Sequence, residues 1–383
     1  MAMRDYLNKT IYGVNRSLIR EYGNKAASIP GCISLTLGEP DFDTPACISA
    51  KVTEALLNHQ THYIPNQGNL SLRTKIAQFE KDHYGMDYKP AEVIVTVGAT
   101  EGIFSALYTI LNPGDEVIIP TPAFLLYEEA VKLCNAKPVF LDTTEDHFEI
   151  KKEKLAALIT DKTKAILINT PNNPTGCILH KESLDAVHDL VKDKPIFVIC
   201  DDVYRQLVYV DDYHSMMEYR DLREQLILIQ SYSKPYAMTG WRMGYVIADE
   251  TIIERLELIH QYLITSTPGP FQAACEEALD FDPSAFRETY RKRRDYVLGR
   301  LSEMGLPVTM PEGAFYIFPS IKELNISSAE FCNRLMDEAK LALTPGICFG
   351  SEGNVRISYC ASDANLEEGM NRLEGFIKKL RGE

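Results

Sequence analysis

Ser231, Lys234 and Arg242 lie on one short segment, SYSKPYAMTGWRMGY (231–245), and are spaced to do chemistry together. The segment follows the apolar run LILIQ (226–230) and enters a Gly-rich turn. A lysine amine held there can form a Schiff base with an aldehyde, while a hydroxyl and a guanidinium nearby can hold an anion such as a phosphate. A lysine at a strand end is, taken alone, most often a solvated charge. The specificity comes from the whole pattern, Ser-x-x-Lys-x7-Arg with MTGWR inside it.

Other segments add complementary groups. GATEG (98–102) follows VIVTV (93–97) and opens a helix, so that backbone N–H groups around Ala99 and Thr100, with the Thr100 hydroxyl, form an anion site. A lone Gly-rich turn would be no more than a strand-to-helix connection. CDDVYRQL (200–207) puts Asp201 and Tyr204 at the end of another strand, with Asp202 read as a solvated or capping residue. NTPNNPTG (169–176) carries Asn173, which by itself is an ordinary Asn-Pro turn former. PTPAFLLY (120–127) carries Phe124, by itself a core residue. NVRISYC (354–360) carries Arg356, whose planar fork suits a carboxylate. These positions fall at or near the carboxyl ends of predicted strands, where open α/β sheets bind ligands.

The elements that must position them are regular. From about residue 90 to 250, short β-branched runs alternate with amphipathic stretches: VIVTV, EVIIP (116–120), PVFLD (138–142), AILIN (165–169), IFVIC (196–200), LILIQ and YVIA (245–248). Continuous apolar runs separated by helical stretches such as Glu182–Val191 predict a mostly parallel sheet covered on both faces, a doubly wound α/β domain. The C-terminal third differs: a charged helix from Pro283 to about Met304, a helix from Ser328, a strand at 354–360 and a last helix from Asp363. That predicts a second, α+β domain joined by the N-terminal residues. The expected division is a large domain over 46–285 and a small one over 1–45 and 286–383.

Taken together, these segments resemble the class I/II aminotransferases of fold type I, from about Ile33 to the C-terminus. The resemblance implies a seven-stranded sheet in the large domain, the cofactor pyridoxal 5′-phosphate (PLP), and Lys234 as the residue that carries it. It places Ala99, Thr100, Ser231 and Arg242 on the phosphate, Phe124 on the pyridine face, and Asp201 on the ring nitrogen. Asn173 and Tyr204 fall on the phenolic oxygen and Arg356 on the substrate carboxylate, with Asn173 and the Gly38 backbone of GEPDFDTP (38–45) beside it. HYIPNQGNLSLR (62–73) resembles the segment whose tyrosine, here Tyr63, reaches the phosphate of a neighbouring subunit, which implies a homodimer. GAFYIFP (313–319) and PGICFG (345–350) resemble segments that close over the site.

The chain is most similar to a Gram-positive group of aromatic and N-acetyl-L,L-diaminopimelate aminotransferases, through LCNAKPVFLDTT (133–144), RKRRDYVLGRLSEMGL (291–306) and GAFYIFPSIK (313–322). This implies a long amino-acid donor, 2-oxoglutarate as acceptor, and a place in lysine or other amino-acid metabolism. Aspartate-directed relatives carry a lysine in the phosphate loop where this chain has Thr100. Leu18 and Ile19 are candidates to line the side-chain pocket, although helix amphipathicity explains them equally well. The competing activity on the same fold is a cystathionine-type C–S lyase. A PLP-binding regulator would need an added basic DNA-binding domain for which there is no room.

Bulk properties bound the partners. A formal net charge of −14 argues against nucleic acid, which is held by clustered Lys and Arg, and favours small metabolites. The nine cysteines are scattered, with no CxxC pair and no zinc-ligand spacing, so they read as reduced thiols of a cytoplasmic protein that binds no metal. No apolar run is long enough to span a membrane. No G-x-G-x-x-G follows a predicted strand, which sets aside a nicotinamide dehydrogenase.

Overall fold

The structure, a computed structural model, describes residues 6–382. Its strands in chain order are β1 (Ile33–Ser34), β2 (Val93–Thr96), β3 (Glu116–Thr121), β4 (Lys137–Asp142), β5 (Thr163–Asn169), β6 (Phe197–Asp201), β7 (Leu226–Ser231), β8 (Gly244–Ala248), β9 (Tyr316–Ile317), β10 (Leu341–Ala342), β11 (Thr344–Pro345) and β12 (Val355–Ser358). Seven of them form one sheet in the order β2-β8-β7-β6-β5-β3-β4. All neighbours in it are parallel except β8, which runs antiparallel to both β2 and β7.

The apolar runs are continuous because both faces are covered. Along β5, Ile166 and Ile168 enter one core, and Ala165 and Leu167 enter another; β7 splits Leu228 from Ile229 in the same way. The first core is closed by helices that include α3, introduced below, and by Lys181–Val191 and Gly269–Asp280. The second is closed by Leu126–Leu133, Glu250–Leu263 and the helix that opens with GATEG. Each fully buried Leu or Ile contributes about 1.5–3 kcal/mol, so this double cover is the main stabilising term of the sheet. Only the edge strand β4 shows exposed positions through most of its length.

Four helices matter for the site: α1 (Leu18–Ala27), α2 (Ala46–Leu57), α3 (Leu70–Tyr84) and α4 (Gly98–Ile110). Helix α1 starts where the Ser17 hydroxyl accepts the Arg20 N–H (3.4 Å), and it packs near β1. Strand β1 pairs in parallel with β10, which ties the N-terminal segment to the C-terminal third. There a third core gathers residues of Ser284–Glu303, Ser328–Ala339 and Asp363–Arg381 around the sheet β11-β12-β9. Arg293 locks these parts together. It grips Asp41 through two bonds (2.7 and 2.9 Å) and reaches Asp363 (2.7 Å).

One sequence expectation is overturned here. Asp202 is neither solvated nor a cap; it is fully buried. Adjacent residues at a strand end point to opposite sides, so Asp202 turns away from Asp201 into a charged cluster inside the first core. Its Oδ2 accepts from Ser215 (2.8 Å), and the cation Arg205 beside it is ion-paired with Glu80, which also accepts from Tyr245 (2.6 Å). Burial pushes the Asp202 carboxyl up to about 7, with Arg205 opposing.

Removing one member leaves the others buried without compensation. Arg205→Leu is expected to cost about 3–5 kcal/mol of unfolding free energy in denaturant titrations, and the double variant with Glu80→Leu to recover part of it.

Candidate active site

One cavity of about 620 Å³ opens over the carboxyl ends of β5, β6 and β7. Strand pairing sets its floor: Asn169 is opposite Asp201, and Ser231 is opposite Gly244. The cavity is lined by Gly38, Ala99, Thr100, Phe124, Asn173, Asp201, Tyr204, Ser231, Lys234, Arg242 and Arg356, which are eleven of the twelve residues to which the resemblance gives a cofactor or substrate role. Tyr63 is the exception. It lies outside this cavity and is 91% exposed.

The anion end is built from α4 and the Lys234 segment. The first turn of α4 leaves unbonded N–H groups at Ala99 and Thr100. Arg242, in the left-handed region at φ +57°, folds back against this turn. Gly98 allows the approach, since a Cβ there would sit 2.6 Å from Arg242 Nη2 and its own φ is +71°. Ser231 Oγ accepts from Ser233 N (3.1 Å), so that both hydroxyl-bearing residues line the same end.

At the centre, Asp201 is buried and accepts from Tyr127 Oη at 2.6 Å. Burial pushes its carboxyl up to about 6, against the pull of Tyr127, the Val203 N–H and Lys234. Lys234 Nζ donates to the Gly38 carbonyl at 2.8 Å. Burial draws its ammonium down to about 8; the Cys360 thiol and Glu39 oppose this, and the cations Arg242 and Arg356 add to it. Both groups are therefore held closer to neutrality than in water. Tyr204, whose phenol burial pushes well above its ordinary range, exchanges a hydrogen bond with Tyr316 at 3.0 Å.

At the far end, Arg356 is buried between the rings of Tyr316 and Phe349, 4.6 and 4.8 Å away. Its Nη1 donates to Asn173 Oδ1 (2.7 Å) and its Nη2 to the Thr36 carbonyl, while Nε is buried without a partner. Because Asn173 Oδ1 is taken, its amide presents only Nδ2–H₂ as donor to the cavity. Gly38 closes this end tightly, since any side chain there would overlap the Tyr316 hydroxyl.

A buried carboxylate, a lysine of lowered basicity, a helix-start anion cradle and an arginine with an orphaned N–H are what a phosphate-bearing aldehyde with a ring nitrogen and a carboxylate substrate would need. The comparisons agree. The family model for aminotransferase class I and II matches residues 30–373. The chain belongs to the class I and II aminotransferases.

It is 40% identical over 385 residues to a probable N-acetyl-LL-diaminopimelate aminotransferase of Bacillus subtilis, covering 99% of this chain and 98% of that protein. It is 41% identical over 392 residues to aromatic-amino-acid aminotransferase 2 of Thermococcus litoralis, covering all of both. The crystal structure of an aspartate aminotransferase from Thermotoga maritima superimposes with a TM-score of 0.94 at 33% identity, covering 97% of this chain and 100% of that one. The fold is the type I PLP-dependent fold, the chain is an enzyme that transfers amino groups, its cofactor is PLP, and its substrates are amino and 2-oxo acids.

Two residues of this aminotransferase site escaped sequence reasoning. Tyr127 and Tyr316 sit in PTPAFLLY and GAFYIFP, segments singled out for other residues or as a whole; their phenolic oxygens were the missed signal. Of the pair at the start of α1, Ile19 lines the cavity whereas Leu18 is exposed.

The raised pKa of Asp201 carries a stability consequence. A carboxyl lifted from 3.8 to about 6 on folding contributes stability below the lower value and loses it as pH rises through the upper one. In the cofactor-free protein at pH 7–8, Asp201→Asn is expected to raise unfolding free energy by about 2–3 kcal/mol, with the gain vanishing below pH 4, in urea titrations read by circular dichroism.

Proposed function

We propose that the enzyme moves the amino group of an L-amino acid with a long side chain, aromatic or acyl-diaminopimelate-like, to 2-oxoglutarate in two half-reactions at one site. The observation that carries the reading is the convergence of Lys234, Asp201 and Arg356 on one cavity. The names of two relatives and the apolar wall at Ile19 and Phe124 support the donor class. Thr100 supports it too, because this chain has no cation at that loop position.

Bound PLP supplies an aldehyde carbon that receives the amino group and a ring that accepts the electron pair left at Cα. Ala99, Thr100, Ser231 and Arg242 would hold its phosphate, and Phe124 would pack against its ring. Asp201 keeps the ring nitrogen protonated; a cation there would draw its own carboxyl back down and repay the cost of burying it. Asn173 Nδ2 and Tyr204 Oη donate to the phenolic oxygen. Lys234 would hold the cofactor's aldehyde carbon, and its free amine would be the base that moves the substrate's Cα proton, for which a pKa near 8 suits it. Arg356 would receive the substrate carboxylate, with Gly38 bordering it. The two-step cycle gives ping-pong kinetics.

The proposed working unit is a homodimer in the cytoplasm, each chain divided at about residues 45 and 285. Among the described residues, no helix is long and apolar enough to cross a membrane. Tyr63, Tyr262 and Leu57 are 91%, 85% and 74% exposed, an unusual amount of large apolar surface, and Tyr63 would reach the phosphate in the second copy. Sedimentation should give a dimer; a monomer with undiminished cofactor affinity would remove Tyr63 from this role.

The deciding experiment is a half-reaction screen on the holoenzyme, following the cofactor's absorbance with single amino acids. Phenylalanine, tyrosine or an acyl-diaminopimelate should convert it while aspartate does not; conversion by aspartate alone would overturn the donor class. Arg356→Ala should raise KM for every donor by a similar factor, about tenfold to a hundredfold for a lost charged pair. A loss confined to one donor would move Arg356 to the side-chain end.

A further inference from the structure

Four cations line the active-site cavity: Arg20, Lys234, Arg242 and Arg356. Three are engaged, Lys234 with the Gly38 carbonyl, Arg242 with that of Thr239, and Arg356 with Asn173 and Thr36. The cavity's carboxylates are engaged as well, Asp201 by Tyr127 and Glu39 by Thr239 Oγ1 at 2.6 Å. Arg20 differs: its guanidinium makes no hydrogen bond or ion pair with any described residue, and only its backbone N–H is used, in the Ser17 cap.

Its placement is fixed by helix geometry. On α1, Ile19 and Gly23 stand one turn apart, as do Arg20 and Asn24, and all four face the cavity. The helix thus offers an apolar stripe and, beside it, a cation with an amide one turn on.

A transaminase whose donor and acceptor differ must seat both side chains in one pocket. An aromatic donor needs only the apolar stripe. A 2-oxo diacid brings a second carboxylate, which needs a cation once Arg356 is occupied by the first, and the phosphate loop offers Thr100 instead. From this chain, we infer that Arg20 receives the distal carboxylate of the 2-oxo diacid acceptor and of the amino acid that this acceptor becomes. This rests on the proposed donor–acceptor reading and adds the residue that makes it possible.

The test uses the holoenzyme and two unreactive probes, glutarate and 3-phenylpropionate, whose binding is read as displacement of the cofactor's absorbance. Arg20→Gln is expected to weaken glutarate about tenfold to a hundredfold, the worth of a charged hydrogen-bonded pair, and 3-phenylpropionate by less than about twofold. Arg20→Lys should fall between, and KM for 2-oxoglutarate should rise with glutarate's dissociation constant while kcat holds. Equal weakening of both probes, or no change for glutarate, would overturn the assignment. If phenylalanine and acyl-diaminopimelate prove inert as donors, the donor reading fails on its own, because the glutarate comparison does not depend on it.

Discussion

A buried line of hydrogen bonds holds the two ends of the site in register. Asn169 Nδ2 donates to the Asp201 carbonyl (2.7 Å), Asn173 N donates to Asn169 Oδ1 (2.8 Å), and Arg356 Nη1 donates to Asn173 Oδ1 (2.7 Å). The line starts in the main sheet, where β5 and β6 pair, and ends on β12 of the small sheet. Every member is buried, so each bond broken would leave a desolvated polar group, and that penalty makes the geometry hard to relax. The distance from the Asp201 carboxylate to the Arg356 fork is thereby set by β5, β6 and β12 and by the turn that carries Asn173.

The rest of the architecture serves to keep that line straight. The double cover of the sheet fixes the ends of β5, β6 and β7. The third core takes in Val203, Tyr204 and Leu207, the residues just past Asp201, so the chain leaving β6 is itself the seam between the two parts. On the other side of the cavity, Arg293 holds Asp41 and so the loop that carries Gly38, against whose carbonyl Lys234 rests. The third core and a buried arginine are thus recruited to aim one carbonyl and one amine.

Much of this was legible in the sequence because its causes are local. The runs VIVTV, AILIN and LILIQ read as buried strands since a strand covered on both faces has no polar positions to hide, and each was found within two residues of its expected place. Most of the residues lining the cavity were legible for a related reason: they stand at or just past a strand end or at a helix start, where spacing along the chain fixes position in space. What could not be read depended on partners far away. Asp202 looked solvated because its compensating Arg205–Glu80 pair includes a residue from α3, over a hundred positions earlier. Tyr127 and Tyr316 passed unnoticed because a phenol and a phenyl ring are alike to a hydrophobic pattern; only the fold shows that their hydroxyls meet Asp201 and Tyr204.

The electrostatics of the site follow from the same burial that rigidifies it. Desolvation raises Asp201 and lowers Lys234, so a carboxylate and an amine that would pair as full charges in water are each drawn toward the neutral form. Neither shift favours the folded protein by itself, since each records charge that the fold makes costly. In the proposed arrangement the cofactor would bring a proton-bearing ring nitrogen to the one and an aldehyde to the other, and so remove both costs at once. Free energy withheld from folding then appears as cofactor affinity, and whatever binds the native state alone stabilises it in proportion. The lysine gains further, because an amine already close to neutral needs little energy to give up its proton, which is the state both attachment and proton transfer require.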